Sequence, residues 1–246
     1  MNITSALLAV DKSEGWTSHD VINVLRGKLD YKKIGHSGTL DPCATGLLLL
    51  LLGDATKRQH EFLHLPKVYR VSLALGTATT TWDKLGEITD KKPYKMPTEE
   101  ELKNALAKLT GEVKQKIPFF SAKKVGGKPM YTHAREGLNI EKETMTTVYK
   151  YENISMRGGF IDFDVHCSSG TYARSLGIML AEILGTCGHL ASLRRLSIGS
   201  YDLDGAITPE QIKTLPVEDI LKCLKPLELS ALLTVCTAAI KNYFPP

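Results

Sequence analysis

The chain has 246 residues, 43% hydrophobic and 24% charged, with a net charge of +4, which suits one large or two modest globular domains and argues against disorder. The longest leucine run, Leu47 to Leu52, is far short of the roughly 20 residues that span a bilayer. The N-terminal apolar stretch is short and meets Asp11-Lys12 at once, so no secretory signal is predicted and a cytoplasmic address is expected.

In chain order, Thr17 to Leu29 reads as a first helix, capped by Thr17 or Ser18, with Val21, Val24 and Leu25 on one face. A loop punctuated by Gly35, Gly38, Pro42 and Gly46 follows and runs straight into the leucines, which must be buried. Its glycines permit tight turns and close approach of a ligand to backbone, and Pro42 stiffens the residue beside Asp41. Tyr69 to Leu75 alternates with period two and predicts a strand placing Tyr69, Val71, Leu73 and Leu75 on one face. Thr98-Glu-Glu-Glu101 is a capping box that opens a helix stopped by Gly111. Ile161 to Cys167 predicts another strand, turning at Ser168-Ser169-Gly170 into a helix with Leu176, Met179, Leu180 and Ile183 inward and Gly185 as its stop. Thr208-Pro-Glu-Gln211 caps a further helix with Pro at its first position. Alternating strands imply half-exposed, largely antiparallel sheet, so the predicted class is α+β, with no interdomain linker before about residue 225.

Three stretches carry chemistry. Asp41 is a lone carboxylate in a glycine loop, costly unless it has work to do or bonds its own turn. Between Lys114 and Arg135 lie Lys116, Lys123, Lys124 and Lys128, with no Asp or Glu and with Phe119, Phe120 and Tyr131 interleaved. Positive charge beside aromatic faces suits a phosphate backbone with exposed bases. His60-Glu-Phe-Leu-His64 has the spacing of a zinc hydrolase helix, but no third ligand is marked and Pro66 limits the helix. The odd cysteine count, five, with no Cys-x-x-Cys pair, argues against a disulfide framework or a thiolate zinc site.

The longer pattern Gly35-His-x-Gly-Thr-Leu-Asp-Pro-x-Ala-x-Gly-Leu-Leu48 resembles the catalytic motif of the bacterial TruB-type tRNA pseudouridine synthases. Cys167-Ser-Ser-Gly-Thr-Tyr-Ala-Arg-Ser-Leu176 resembles a second motif of that family. The resemblance implies the pseudouridine synthase fold, a large mixed, mostly antiparallel sheet with flanking helices and a thumb insertion at about 113–142. It implies one catalytic domain over 1–225, with 226–246 too short for the small RNA-binding PUA domain that many relatives carry.

It also implies isomerisation of the T-loop uridine at position 55 of tRNA, without metal or organic cofactor, by a monomer that binds the T stem-loop and no membrane. Asp41 becomes the catalytic carboxylate, Arg174 its paired cation, and Tyr69 the ring that stacks on the flipped uracil. Tyr172 lies beside the pair, and Lys57 and Leu196 match pocket positions. His36 enters the loop the base vacates, and Asp83 extends the Arg174 network. Lys123, Lys124 and Lys128 belong to the thumb. Three residues depart from the family pattern: Ser169 replaces a usual Lys, Phe120 a usual Tyr, and Thr80 the first Asp of the segment that contains Asp83. A glycosidase would need two carboxylates across the scissile bond. A noncatalytic RNA-binding module would have no use for Asp41 and Arg174.

Overall fold

A computed structural model describes residues 3–121, 123–130, 132 and 142–227. The chain divides into two compact units, Met1–Val68 with Arg194–Pro246, and Tyr69–Leu193.

In the first unit, β1 (Ser5–Lys12) leads through a tight turn into α1 (Ser18–Leu29). Thr17 caps α1 through a capping box with Asp20, so a purely local signal sets where it begins. β2 (Ile34–His36) and β3 (Thr45–Gly53) flank the glycine loop and pair antiparallel, with His36 opposite Leu50. β1 pairs with the other edge of β3 along its whole length, from Ser5 opposite Gly53 to Lys12 opposite Gly46. The six leucines from Leu47 to Leu52 are each at most 1% exposed. A strand buried on both faces reads as continuous apolar sequence rather than alternation, and each leucine so placed contributes about 1.5–3 kcal/mol. Leu47, Leu49 and Leu51 pack with Leu7, Phe62, Leu65, Ile198 and Leu227.

The leucine run of β3 is bracketed by two glycines, Gly46 and Gly53, that nothing larger could replace. Gly46 has φ +97, and a Cβ there would lie 2.2 Å from the Arg195 carbonyl oxygen. Gly53 has φ +64, and a Cβ would lie 2.4 Å from that of Thr4. A short 3₁₀ turn (Asp54–Arg58) and α2 (Gln59–His64) follow. Lys67, in β4 (Lys67–Leu75), closes α2 by donating to the Leu63 and Leu65 carbonyls at 2.6 and 2.5 Å.

The second unit holds the small β5 (Thr77–Thr79) and β6 (Ile88–Lys91) pair, α3 (Glu99–Ala107) and β7 (Gly111–Lys116). Next come the hairpin β8 (Lys124–Val125) and β9 (Lys128–Pro129), the long β10 (Glu143–Arg157), β11 (Phe160–Cys167), α4 (Ala173–Ile183) and β12 (Gly188–Ile198). Its sheet order is β12-β4-β11-β10-β7, with β10 antiparallel to both neighbours. The capping box at Thr98 forms as read, but α3 ends at Ala107, before Gly111. The inward face of α4 differs from the expectation. Leu176 and Leu180 are buried, but Ile183 is exposed and Met179 half-buried, because the small Ala173, Gly177 and Ala181 turn inward instead.

The chain returns to the first unit at the end of β12, where Arg194 and Arg195 pair parallel with Thr45 and Gly46. There α5 (Pro209–Thr214), capped by Thr208, and α6 (Val217–Lys222) precede β13 (Lys225–Pro226) on the outer edge of β1. The class is α+β and mostly antiparallel, as the alternating strands predicted. Among the described residues no helix is long and apolar enough to cross a membrane. Of the expected thumb, residues 122, 131 and 133–141 and the side chains of Lys124 and Lys128 lie outside the described residues, as does the tail from 228 onward.

Candidate active site

In the first unit, the loop between β2 and β3 is tied down from several sides. Ser18, at the start of α1, exchanges hydrogen bonds with Leu40, accepting from its N–H at 2.9 Å and donating to its carbonyl at 3.2 Å. The Pro42 carbonyl accepts from the Gly15 N–H at 2.9 Å and from Lys12 Nζ at 3.4 Å. Asp41 sits between these anchored neighbours, half-buried, and its own carbonyl accepts from the Ala44 N–H at 3.0 Å. A carboxylate on so constrained a loop has little freedom left to lose when a substrate arrives.

Two buried cations underlie the loop. Arg195 is 1% exposed, its Nε donating to the Leu47 carbonyl at 2.7 Å and its other guanidinium nitrogen to that of Gly38 at 3.1 Å. Lys12 is fully buried and also donates to the Trp16 carbonyl at 2.7 Å. Burial lowers its pKa to about 8, partly offset by attraction from Cys43 and Asp41, with Arg195 pushing down and Glu14 up. His36 is held below its ordinary pKa by burial and by the nearby positive charges of Arg195 and His19. Its Nδ1 accepts from the Gly38 N–H at 3.1 Å, which places the ring proton of the neutral form on Nε2.

In the second unit, Arg174 lies in the first turn of α4, 4% exposed. It donates to the carbonyls of Thr81 at 2.9 Å and Phe120 at 2.8 Å, and approaches Asp83 Oδ2 at 3.9 Å. Asp83 is itself buried and accepts from Thr81 Oγ1 at 2.6 Å and from the Leu85 N–H at 3.0 Å. Trp82 beside it holds φ +63, a left-handed backbone that bulky residues rarely adopt and that the surrounding bonds must enforce. Tyr172 is the N-cap residue of α4, and its N–H donates to Gln115 Oε1 at 3.0 Å.

The remaining predicted residues are spread differently. Tyr69 is half-buried on β4, and Leu196 is half-buried on β12. Lys57 is 69% exposed and pairs with Asp54 at 3.0 Å, on the outside of the 3₁₀ turn. Lys123 is exposed, as is Phe120. Glu61 of the zinc-like sequence is held by Arg58 through two bonds of 2.9 Å, so within six-residue α2 it is an ordinary ion-paired side chain. Sequence reasoning missed Lys12 and Arg195. Lys12 closes β1 between polar Asp11 and Ser13, and Arg195 adjoins a second arginine, so neither stretch of sequence marks its basic residue as buried.

A family model described as TruB family pseudouridylate synthase (N terminal domain) matches residues 26–173. The chain is 41% identical over 216 residues to tRNA pseudouridine synthase B of Solibacter usitatus, covering 87% of this chain and 74% of the relative. It is 40% identical over 226 residues to the protein of the same name from Opitutus terrae, covering 92% and 94%. Among solved structures, a Cbf5-Nop10-Gar1 complex aligns with a TM-score of 0.68 at 25% identity, covering 90% of this chain and 60% of that one. An H/ACA RNP bound to a substrate RNA containing 2'-deoxyuridine shares the fold, with a TM-score of 0.65 at 23% identity over 90% of this chain and 59% of that one. By class this is an isomerase that modifies uridine in RNA. The chain belongs to the TruB family of pseudouridylate synthases.

Proposed function

We propose that the chain converts the T-loop uridine at position 55 of tRNA to pseudouridine, with Asp41 as the catalytic carboxylate. The observation that carries this reading is the anchoring of the loop on both sides of Asp41, through Leu40 and Pro42, over two buried cations. The reaction breaks the N-glycosidic bond, turns the uracil, and rejoins it to the same C1′ through carbon. No atom is added and no electron is lost, so a carboxylate and a shaped pocket suffice. Asp41 serves as nucleophile toward C1′, as nucleophile toward the base, or as base for an elimination at the sugar; each route needs it ionised.

Once RNA covers the loop, desolvation raises a carboxyl pKa, and a fixed cation must oppose that rise. The family resemblance gives this task to Arg174, whose planar fork does not titrate. It gives Tyr69 the flipped uracil, and His36 the space the base leaves. Tyr172, Asp83, Leu196 and Lys57 are proposed substrate-side residues, and Lys123, Lys124 and Lys128 the backbone contacts of the thumb. Stacking on Tyr69 would recover about 1–3 kcal/mol of the unstacking cost. The proposed enzyme acts as a monomer in the cytoplasm.

The test is mass-spectrometric mapping of pseudouridine in T-arm RNA treated with the wild type and with Asp41→Asn. The substitution removes a charge but little volume. Conversion should vanish while RNA binding stays within about tenfold. Turnover by Asp41→Asn would defeat the assignment, and tight binding by an inactive wild type would favour an RNA-binding module.

A further inference from the structure

One carboxylate outside the loop grips the segment that holds it. Glu210, in the first turn of α5, accepts from Ser13 Oγ through one oxygen and from Trp16 Nε1 through the other, each at 2.8 Å. Ser13 and Trp16 belong to the turn between β1 and α1, and Pro42 is bonded from that turn and from the end of β1. Gly15 donates to the Pro42 carbonyl, and Lys12 bridges the Ser13, Trp16 and Pro42 carbonyls at 3.1, 2.7 and 3.4 Å. Lys213, one helical turn beyond Glu210, places its ammonium 4.5 Å from the Trp16 ring centre, and Lys28 of α1 donates to the Lys213 carbonyl at 3.1 Å. α5 therefore reaches the turn by two side chains and is itself fastened to α1.

We propose that Glu210 is a positioning residue for Asp41, acting as a latch: it fixes the Ser13–Trp16 turn, which fixes Lys12 and Pro42, and so the backbone next to the carboxylate. The proposal rests on reading Asp41 as the catalytic group. Its chemistry is specific to an acceptor. A serine hydroxyl and an indole N–H both donate here, and a carboxylate can receive one on each oxygen. Glutamine keeps both bonds, because its carbonyl accepts from the indole while its amide donates to the hydroxyl oxygen. Alanine keeps neither.

The experiment is single-turnover conversion of T-arm RNA by the full chain, comparing wild type, Glu210→Ala, Glu210→Gln and Asp41→Asn. Glu210→Ala should lower the limiting rate about tenfold with the half-saturating concentration unchanged within about twofold, and Glu210→Gln should recover most of the loss.

The pH profile separates a latch from a mere brace. Asp41, Glu14, Cys43 and Arg195 face Lys12, whose ammonium is lost above about pH 8, so the wild-type rate should decline there as Pro42 is released. Opening the turn to water in Glu210→Ala should move that decline to higher pH, since less burial means a less depressed lysine. An unchanged limiting rate in Glu210→Ala, or a rate loss with an unmoved alkaline limb and no rescue by glutamine, overturns the latch. Should the alanine variant fail to fold, Ser13→Ala with Trp16→Phe removes the same two donors, and a wild-type rate in that protein overturns it equally. Activity in Asp41→Asn sinks the catalytic reading itself, whatever Glu210 does.

Discussion

Each unit buries a guanidinium, and the two are used differently. Arg195, in the first unit, donates to the carbonyls of Leu47 and Gly38, both within the segment that carries Asp41. Arg174, in the second, gathers carbonyls from two remote segments, at Thr81 and Phe120, and has a carboxylate, Asp83, at 3.9 Å. Arg195 is thus a brace for one loop, whereas Arg174 joins the strained Trp82 turn to the Phe120 backbone and keeps a charge partner near it. A buried cation answered by backbone dipoles is a fold element. Arg174 also answers two backbone carbonyls, and the nearby Asp83 carboxylate is what sets it apart from Arg195.

The comparison breaks most visibly at Arg195. Arg195→Ala leaves two buried carbonyls without their donor and a cavity beneath the loop, which should cost about 3–5 kcal/mol of stability, read as the shift in urea midpoint. Arg174→Lys keeps charge but loses the fork that reaches Thr81 and Phe120 together. Conversion should fall at least about tenfold with stability changed far less. Near-normal rates for Arg174→Lys would make it a brace like Arg195. Asp83→Asn should be milder, about threefold in rate, because the bonds from Thr81 and Leu85 can persist while the charge facing Arg174 disappears. Smallest for catalysis is the loss of Lys123, Lys124 and Lys128 together. Saturated conversion should survive, while the logarithmic salt slope of RNA binding should flatten by about 0.7 per lost single-strand contact. An unchanged slope would place the RNA backbone elsewhere.

What the sequence made legible follows the same division. Helix starts at Thr17, Thr98 and Thr208 were readable because each capping box is closed by residues three apart. The Asp41 loop was readable because its glycines, proline and carboxylate are contiguous. Arg195 was not, since Leu193-Arg-Arg-Leu196 offers two adjacent arginines on opposite faces of a strand. Arg194 stays half-exposed on Asp11 while Arg195 goes inside. Which of the two enters depends on partners some 150 residues away. The long β10 went unread because much of it is exposed and carries little apolar alternation. Spacing alone points Ile183 inward, and only packing shows that the small residues of α4 take that side.

The six leucines of β3 have one more consequence. A homopolymer carries little address: slide it by two positions and four of the six leucines land in places shaped for identical side chains, so the usual apolar pattern fixes the alignment only weakly. The markers are the glycines at its ends. A shifted strand would bring leucine to where a Cβ lies 2.2 Å from the Arg195 oxygen or 2.4 Å from that of Thr4, and the frame would jam. The ruler that sets where Asp41 emerges is therefore graduated by two missing side chains.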